Sequence, residues 1–282
     1  MTNTITRTDE ADLQLKLRHR TMWASGDYGA VAREVIPGLG QILVDACQLA
    51  PGDRALDVGA GTGNAAIPAA RAGARVVAND LTPELLVEGR RDAKAKGLWI
   101  EWQPGDAEAL PYLDAAFDTV LSCVGVMFAP HHQQTADELV RVCRPGGTIG
   151  LINWTPDGFI GRLFAAMRAF VPAPPPGVQP PPLWGDQAHL EELFGDAVDA
   201  PTYRVQSLRV SRFATAEEFR DFFRDKYGPT ISAYRNVADD QERLMALDRT
   251  LVDLAASALR DGEMQWDYLL YTARRSLRED RR

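Results

Sequence analysis

The feature that most constrains the fold is a glycine-rich turn, LDVGAGTGN, at residues 56–64. It follows a short apolar run and opens an Ala-rich stretch, the order expected of strand, turn and helix. Gly59, Gly61 and Gly63 lack a Cβ atom, so the backbone there can turn sharply and pass close beneath a ligand. The turn therefore predicts a cofactor site of the nucleotide type, with a tight strand-to-helix connection or a dinucleotide site as the alternatives.

Short β-rich runs alternate with longer helical stretches from residue 53 to residue 154, which is typical of a parallel sheet flanked by helices. Five strands are predicted there, at residues 53–59, 75–80, 99–103, 117–124 and 148–154. Each is mostly apolar, as strands buried on both faces should be. Two more strands are predicted at 203–213 and 266–275, with helices near 216–226 and 239–260.

These elements predict an α/β fold, a Rossmann-like seven-stranded mostly parallel sheet with helices on both faces and a small helical cap from the C-terminal part. Residues 1–40 are interpreted as an N-terminal helical lid segment and residues 41–155 as the cofactor-binding core. Residues 156–282 supply a Pro-rich loop, the last two strands and the cap, packed as part of the same domain. The Pro-rich stretch at 171–185 is either a lid or a surface connector.

A helix is predicted before the RPGG sequence of residues 144–147. Apolar residues recur there at i, i+3, i+4 and i+7, a spacing that places them on one buried stripe. They are Ala136, Leu139, Val140 and Cys143. Gly146 and Gly147 are expected to end the helix, because Pro145 cannot continue its hydrogen bonding.

The net charge and the cysteine content limit which kinds of ligand and partner are expected. The 31 Lys and Arg against 39 Asp and Glu give a formal net charge of -8, which argues against nucleic acid and favours a small-molecule partner. Cys47, Cys123 and Cys143 are odd in number and lack the spacing of a metal site, so we expect no metal and a reducing cytoplasm. No apolar stretch is long enough to span a bilayer, so membrane insertion is not expected.

An acidic residue closes the second predicted strand. Asp80 stands 23 positions after Asp57, and a carboxylate at that place can accept hydrogen bonds from both hydroxyls of a ribose. At this point NAD and S-adenosylmethionine both fit the pattern.

Three further motifs distinguish these cofactors. GDAEALPY at 105–112 follows the third strand, FDTV at 117–120 opens the fourth, and RPGG precedes the fifth. Together with LDVGAGTGN, this order resembles the class I S-adenosylmethionine-dependent methyltransferases, particularly the UbiE-like branch that methylates small molecules. The resemblance covers roughly residues 40–155 and is only architectural beyond them.

The resemblance implies roles for residues of the core. Asp80 would hold the ribose diol, Asp106 would accept from the adenine amino group, Ala107 would offer its N–H to the ring, and Leu81 would pack on the ring face. Gly59 and the backbone near the end of the fourth strand would receive the methionine ammonium, with Asp57 orienting the turn. The cofactor-binding residues are then Asp57, Gly59, Ala60, Gly61, Gly63, Asn64, Asp80, Leu81, Asp106, Ala107, Ser122 and Cys123.

The small molecule that accepts the methyl group should lie above the carboxyl ends of the strands. His131 and His132 are candidate general bases because imidazole titrates near neutrality, although a histidine pair opening a helix is more often a cap or surface feature. Cys123 is a minor candidate for a nucleophile or an arsenic ligand, since a buried cysteine usually behaves as a small apolar residue. The substrate-pocket residues are predicted to be Trp23, Tyr28, Val124, Met127 and Phe128. For Trp23 and Tyr28, attachment of an N-terminal helix to the sheet is the alternative role.

The predicted activity is transfer of a methyl group from S-adenosylmethionine to an O, N, S or C nucleophile of a small molecule by in-line displacement, with S-adenosylhomocysteine as product. A protein that binds the cofactor without turnover shares every motif above and stays an alternative. A nucleotide-dependent oxidoreductase is less favoured, because the sequence has no YxxxK pair. The oligomeric state is left open.

Overall fold

A computed structural model of the protein describes residues 7–277, with side chains described from residue 10. Within this range seven strands form one sheet in the order β3-β2-β1-β4-β5-β7-β6. They are β1 (Arg54–Val58), β2 (Arg75–Asp80), β3 (Glu101–Pro104), β4 (Phe117–Cys123), β5 (Cys143–Trp154), β6 (Val198–Val210) and β7 (Met264–Arg275).

The first five strands pair in parallel, whereas β7 pairs antiparallel with both β5 and β6. One strand of seven therefore runs against the others, and the predicted seven-stranded, mostly parallel Rossmann-like sheet is confirmed. The chain runs outward from β1 to β3 on one side and from β4 on the other, so the strand order reverses between β1 and β4. Sheets of this kind bind ligands beyond the carboxyl ends of the strands at that reversal.

The described residues form eleven α-helices. These are α1 (Arg7–Ala24), α2 (Tyr28–Glu34), α3 (Leu39–Cys47), α4 (Ala66–Arg71), α5 (Pro83–Ala95), α6 (His132–Val142), α7 (Phe159–Met167), α8 (Gln187–Phe194), α9 (Ala216–Lys226), α10 (Gly228–Asn236) and α11 (Gln241–Ala258). The helices α9 and α11 pack on each other, and α10 packs on both α9 and α1. No helix in the described part of the chain is long and apolar enough to cross a membrane.

The predicted end of the helix before the RPGG segment was wrong. Helix α6 ends at Val142, and Cys143 already has extended backbone angles as the first residue of β5. The helix ends this early because Pro145 disfavours helical geometry at the residue before it, Arg144. Cys143 is fully buried as expected, but in the sheet rather than on the helix stripe, and RPGG lies inside an irregular start of β5.

In the C-terminal part, helices α7, α8 and α10 and the first residues of β6 were not predicted from the sequence. Strand β6 begins at Val198, five residues before the predicted start, and most of it is exposed at the edge of the sheet. Pro201 lies in this strand, and an edge is the place in a sheet that tolerates the missing donor of proline. Helix α10 was also missed, because its opening Gly228–Pro229 suggests a turn, although proline suits the first helical turn.

Candidate functional site

A cavity lies at the carboxyl ends of the parallel strands, at the reversal of strand order. Its walls come from α1, from the turn after β1, from the ends of β2 and β3 and from the segment after β4. Ten of the residues that the sequence assigned to cofactor or acceptor line it: Trp23, Tyr28, Gly59, Gly61, Asp80, Leu81, Asp106, Ala107, Val124 and Phe128. The structure thus gathers residues that span more than 100 positions of the chain.

The glycine turn requires glycine for two separate reasons. Gly59, Gly61 and Gly63 have φ angles of 66°, 53° and 94°, a region that residues with a Cβ atom rarely adopt. A Cβ atom on Gly59 would also lie 2.8 Å from the Cα atom of Gly125, and one on Gly61 would lie 3.2 Å from the ring of Tyr28. The turn is therefore packed directly against the segment after β4 and leaves no room for side chains.

Asp80 fastens this turn to the end of β2. Its Oδ2 accepts from the amide N–H of Gly61 and its Oδ1 accepts from the amide N–H of Thr82, each at 2.8 Å. Burial raises the pKa of the Asp80 carboxyl. Because each carboxylate oxygen has a second lone pair, the group can still accept hydrogen bonds from a ligand in the cavity.

Asp57 lies beneath the turn and does not line the cavity. It is 1% exposed, and its Oδ2 accepts from the amide N–H of Ala66 at 2.7 Å. Its Oδ1 is buried and has no hydrogen-bond partner among the described residues. Burial, assisted by the charge of Asp80, raises the pKa of Asp57 to about 7. A buried acceptor without a donor is costly, so this oxygen fits a site completed by a cationic or donating group.

Asp106 is tied to helix α1 by a lysine. The Nζ atom of Lys16 lies 2.7 Å from Oδ2 of Asp106, 2.7 Å from Oε2 of Glu108 and 2.9 Å from Oδ2 of Asp12. Burial would lower the pKa of Lys16, but its hydrogen bonds to Asp106 and Glu108 outweigh burial and raise it. Lys16 lines the cavity, so α1 is both a wall of the site and a partner of its carboxylates.

Lys16 was not found from the sequence. Its helix has no amphipathic pattern, and Asp106 lies 90 positions further along the chain. The ligand atoms of Asp12, Glu108 and His131 lie within 4.8 Å of one another, a grouping that could hold a metal ion. The ammonium of Lys16 pairs with two of these three groups and supplies the positive charge there.

The two histidines proposed as general bases are not among the residues that line the cavity. His131 turns its Nε2 to Asp12 at 2.9 Å, and its amide N–H donates to Glu108 at 2.6 Å. His132 is fully buried, with Nδ1 2.8 Å from Nε2 of His189, and burial lowers the pKa of His132 to about 3. Both imidazoles are thus engaged with other side chains and lie outside the set of residues that line the cavity.

Trp23, Tyr28 and Phe128 are aromatic residues of the cavity wall, and Tyr227 packs against Trp23. The centroid of Trp23 lies 4.6 Å from that of Phe128, 5.6 Å from that of Tyr28 and 5.7 Å from that of Tyr227. Tyr28 is the first residue of α2, a helix whose start is capped by the Asp27 side chain accepting from the amide N–H of Ala30. Burial raises the pKa of Tyr28, so its phenol stays protonated.

Ser122 connects two elements of the site without lining the cavity. Ser122 donates its hydroxyl to the carbonyl of Val58 at 2.7 Å and accepts from the amide N–H of Val126 at 3.0 Å, which joins β1 to the segment after β4. Val124 follows with a φ of 56°, a strained value for a β-branched residue. Other predicted residues also lie outside the set of lining residues, and they are Ala60, Gly63, Asn64, Cys123 and Met127. Burial raises the pKa of the Cys123 thiol, so it is not a ready nucleophile.

Comparison with known proteins identifies the type of domain that this chain contains. Residues 56–151 match the model of the methyltransferase domain family. The YcgJ protein of Bacillus subtilis has a similar fold, with a TM-score of 0.56 and 16% identity over 84% of this chain and 97% of that chain. Geranyl diphosphate methyltransferase, solved in complex with SAM, matches with a TM-score of 0.50 and 14% identity over 84% of each chain. Residues 56–151 are therefore a methyltransferase domain, and the chain has the fold of solved methyltransferases.

Proteins with similar sequences add to this comparison. The uncharacterized protein Rv1405c of Mycobacterium tuberculosis is 50% identical over 93% of this chain and 96% of its own length. The demethylmenaquinone methyltransferase of Renibacterium salmoninarum is 38% identical over 109 residues, which are 39% of this chain and 44% of that protein. The UbiE-like resemblance stated from the motifs is thus confirmed.

Proposed function

We propose that this methyltransferase binds S-adenosylmethionine in the cavity at the β1–β4 reversal and methylates a small molecule there. The observation that carries the proposal is that two carboxylates, Asp80 and Asp106, end neighbouring strands and line the same cavity as the glycine turn. The cofactor supplies a methyl group on a positively charged sulfur, and S-adenosylhomocysteine is the product that leaves.

The residues present fit this cofactor. Asp80 is available for the ribose hydroxyls and Asp106 for the adenine amino group, with Leu81 and Ala107 beside them in the cavity wall. Gly59 and Gly61 add no side chains of their own to the cavity, where Gly125 and the ring of Tyr28 already pack against the turn. The unpaired Oδ1 of Asp57 lies beneath this turn, where the charge of a nearby ammonium would favour its ionised form.

The cavity residues that were predicted to surround the methyl acceptor support an apolar acceptor that needs no general base from the protein. Trp23, Tyr28, Val124 and Phe128 are aromatic or aliphatic, and Tyr28 keeps its proton. Large rings with few polar atoms favour a planar or apolar molecule. The protein would then contribute alignment of the acceptor and exclusion of water rather than a proton transfer.

The positions of the N-terminal helix and of the Pro-rich loop support the same proposal. Helix α1 lies in the N-terminal segment and contributes Lys16, His19 and Trp23 to the cavity wall, as a covering segment should. The Pro-rich loop reaches the site through Gln179, whose amide N–H donates to the carbonyl of Pro130 at 3.0 Å. We propose that residues 7–40 cover the cofactor and that the rest of the described chain forms one domain; residues 1–6 of the predicted lid segment lie outside the described residues. The three free, buried cysteines agree with a cytoplasmic location.

Calorimetric binding of S-adenosylhomocysteine tests the proposal. Asp80→Ala should weaken binding by about 1–3 kcal/mol, the usual scale for removing a buried polar contact. Asp137→Ala is the matched control, because Asp137 is an exposed carboxylate on α6 outside the cavity wall. Equal affinity of wild type and Asp80→Ala would refute the assignment of Asp80.

Turnover requires a separate measurement. Purified protein should release S-adenosylhomocysteine from S-adenosylmethionine when offered a panel of phenols, thiols, amines and lipid quinone precursors. Binding without release on any acceptor would favour the non-catalytic binding protein.

A further inference from the structure

Asn79, which was not singled out from the sequence, has an unused acceptor at the cofactor site. It is the residue before Asp80 on β2, it is 0% exposed, and it belongs to the cavity wall. Its Oδ1 is buried and makes no hydrogen bond with any residue between 10 and 277. Such an atom carries a desolvation cost that a bound donor would remove.

The orientation of the amide follows from its neighbours. The Nδ2 atom of Asn79 faces the carbonyl oxygen of Gln103 and the hydroxyl of Tyr112, each at 3.4 Å. A carbonyl oxygen can only accept, so the nitrogen of the amide must face Gln103. The acceptor oxygen is thereby left on the other branch of the amide, free for a donor that the protein does not supply.

The position of Asn79 associates it with the base rather than with the sugar. Successive side chains of a strand point to opposite faces, so Asn79 and Asp80 leave β2 on opposite sides. A Cβ atom on Gly105 would lie 2.2 Å from Nδ2 of Asn79, so the amide packs directly against the residue that precedes Asp106. Asn79, Gly105 and Asp106 all line the cavity, so the amide of Asn79 and the carboxylate of Asp106 lie on either side of Gly105 in its wall.

We propose that Asn79 is a specificity-determining residue whose Oδ1 accepts a hydrogen bond from the exocyclic amino group of the cofactor's adenine. This inference rests on the proposed function. An amino group carries two hydrogens, so Asp106 and Asn79 can each accept one. A base with a carbonyl in that place presents only lone pairs to both acceptors, which repel it. The pair thus selects a 6-amino purine against a 6-oxo purine.

The test compares S-adenosylhomocysteine with S-inosylhomocysteine by calorimetry. Wild type should prefer the adenosyl compound by at least about tenfold, and Asn79→Leu should reduce that ratio by about fivefold or more. Asn153→Leu is the matched control, because Asn153 is also a fully buried asparagine with unpaired amide atoms at a strand end, yet it is not part of the cavity wall. This control should keep the wild-type ratio.

A stability measurement separates recognition from a structural role. Without ligand, Asn79→Leu removes an unpaired buried oxygen and only long hydrogen bonds, so its melting temperature should equal or exceed that of wild type. A clear drop in melting temperature together with an unchanged ratio would overturn the inference.

A wild type that binds both compounds equally would overturn it without any variant. A wild type that binds neither compound would instead refute the proposed function.

Discussion

Replacing Asp57 with asparagine should stabilise the protein at alkaline pH and weaken cofactor binding. The folded-state pKa of about 7 lies above the ordinary value of 3.8, so folding the ionised carboxylate at pH 8 costs roughly 4 kcal/mol. Asparagine keeps an oxygen for the amide N–H of Ala66 but leaves a buried amide nitrogen, which costs about 1–3 kcal/mol. The net gain should be about 1–3 kcal/mol.

The sign with pH follows from proton binding. Between about pH 4 and pH 7 the folded protein holds a proton on Asp57 that the unfolded chain has lost, so this residue makes stability fall as pH rises through that window. The Asp57→Asn variant should lack this fall. Urea denaturation of both proteins at pH 5 and pH 8 measures the difference, with Asp253→Asn on an exposed face of α11 as control.

Cofactor affinity should respond in the opposite direction. If a ligand ammonium keeps Asp57 ionised, then the affinity of wild type for S-adenosylhomocysteine should fall about fivefold from pH 7 to pH 6, and level off above pH 8. The Asp57→Asn variant should bind more weakly at pH 8 and show a flatter profile. A variant less stable than wild type at pH 8, or a wild-type affinity that is constant from pH 6 to pH 8, would refute the reasoning.

Three other substitutions test separate parts of the site. Gly61→Val should abolish tight binding of S-adenosylhomocysteine while the circular dichroism spectrum stays native. The reason is that a Cβ atom at Gly61 would lie 3.2 Å from the ring of Tyr28 in the cavity wall. Normal binding in calorimetry would contradict this. Lys16→Met should lower stability by about 1–3 kcal/mol in urea denaturation, since it leaves the Glu108 carboxylate with the amide N–H of His131 but without its cation, and the loss should shrink as the pH falls and that carboxyl protonates. Trp23→Ala should raise KM for the acceptor with an unchanged Kd for S-adenosylhomocysteine, and a change confined to the cofactor would place Trp23 elsewhere.

Most of the sheet could be predicted because the parallel strands β1, β2, β4 and β5 are largely buried and therefore appear in the sequence as short apolar runs between turns. Strand β6 begins earlier than predicted, because an exposed edge strand has no such run and contains Pro201. The end of α6 depends on how Pro145 constrains the residue before it, which helical periodicity does not report.

The cofactor side of the site was accessible from the sequence because its residues follow strands, and parallel strands bring their carboxyl ends together. Asp80 and Asp106 were identified in this way. Lys16 and Asn79 were not, because one reaches the site from a separate helix and the other looks like an ordinary strand residue. His131 and His132 follow the correct strand, but their side chains turn to Asp12 and His189, a choice that depends on packing across the fold.

A crystal structure of the protein with S-adenosylhomocysteine would test the central claim most directly. The ribose hydroxyls should lie within hydrogen-bond distance of the Asp80 carboxylate, and the methionine part should cross the turn at Gly59–Gly61. Density for the ligand at another place, with the Tyr28 ring still packed on Gly61, would contradict the account.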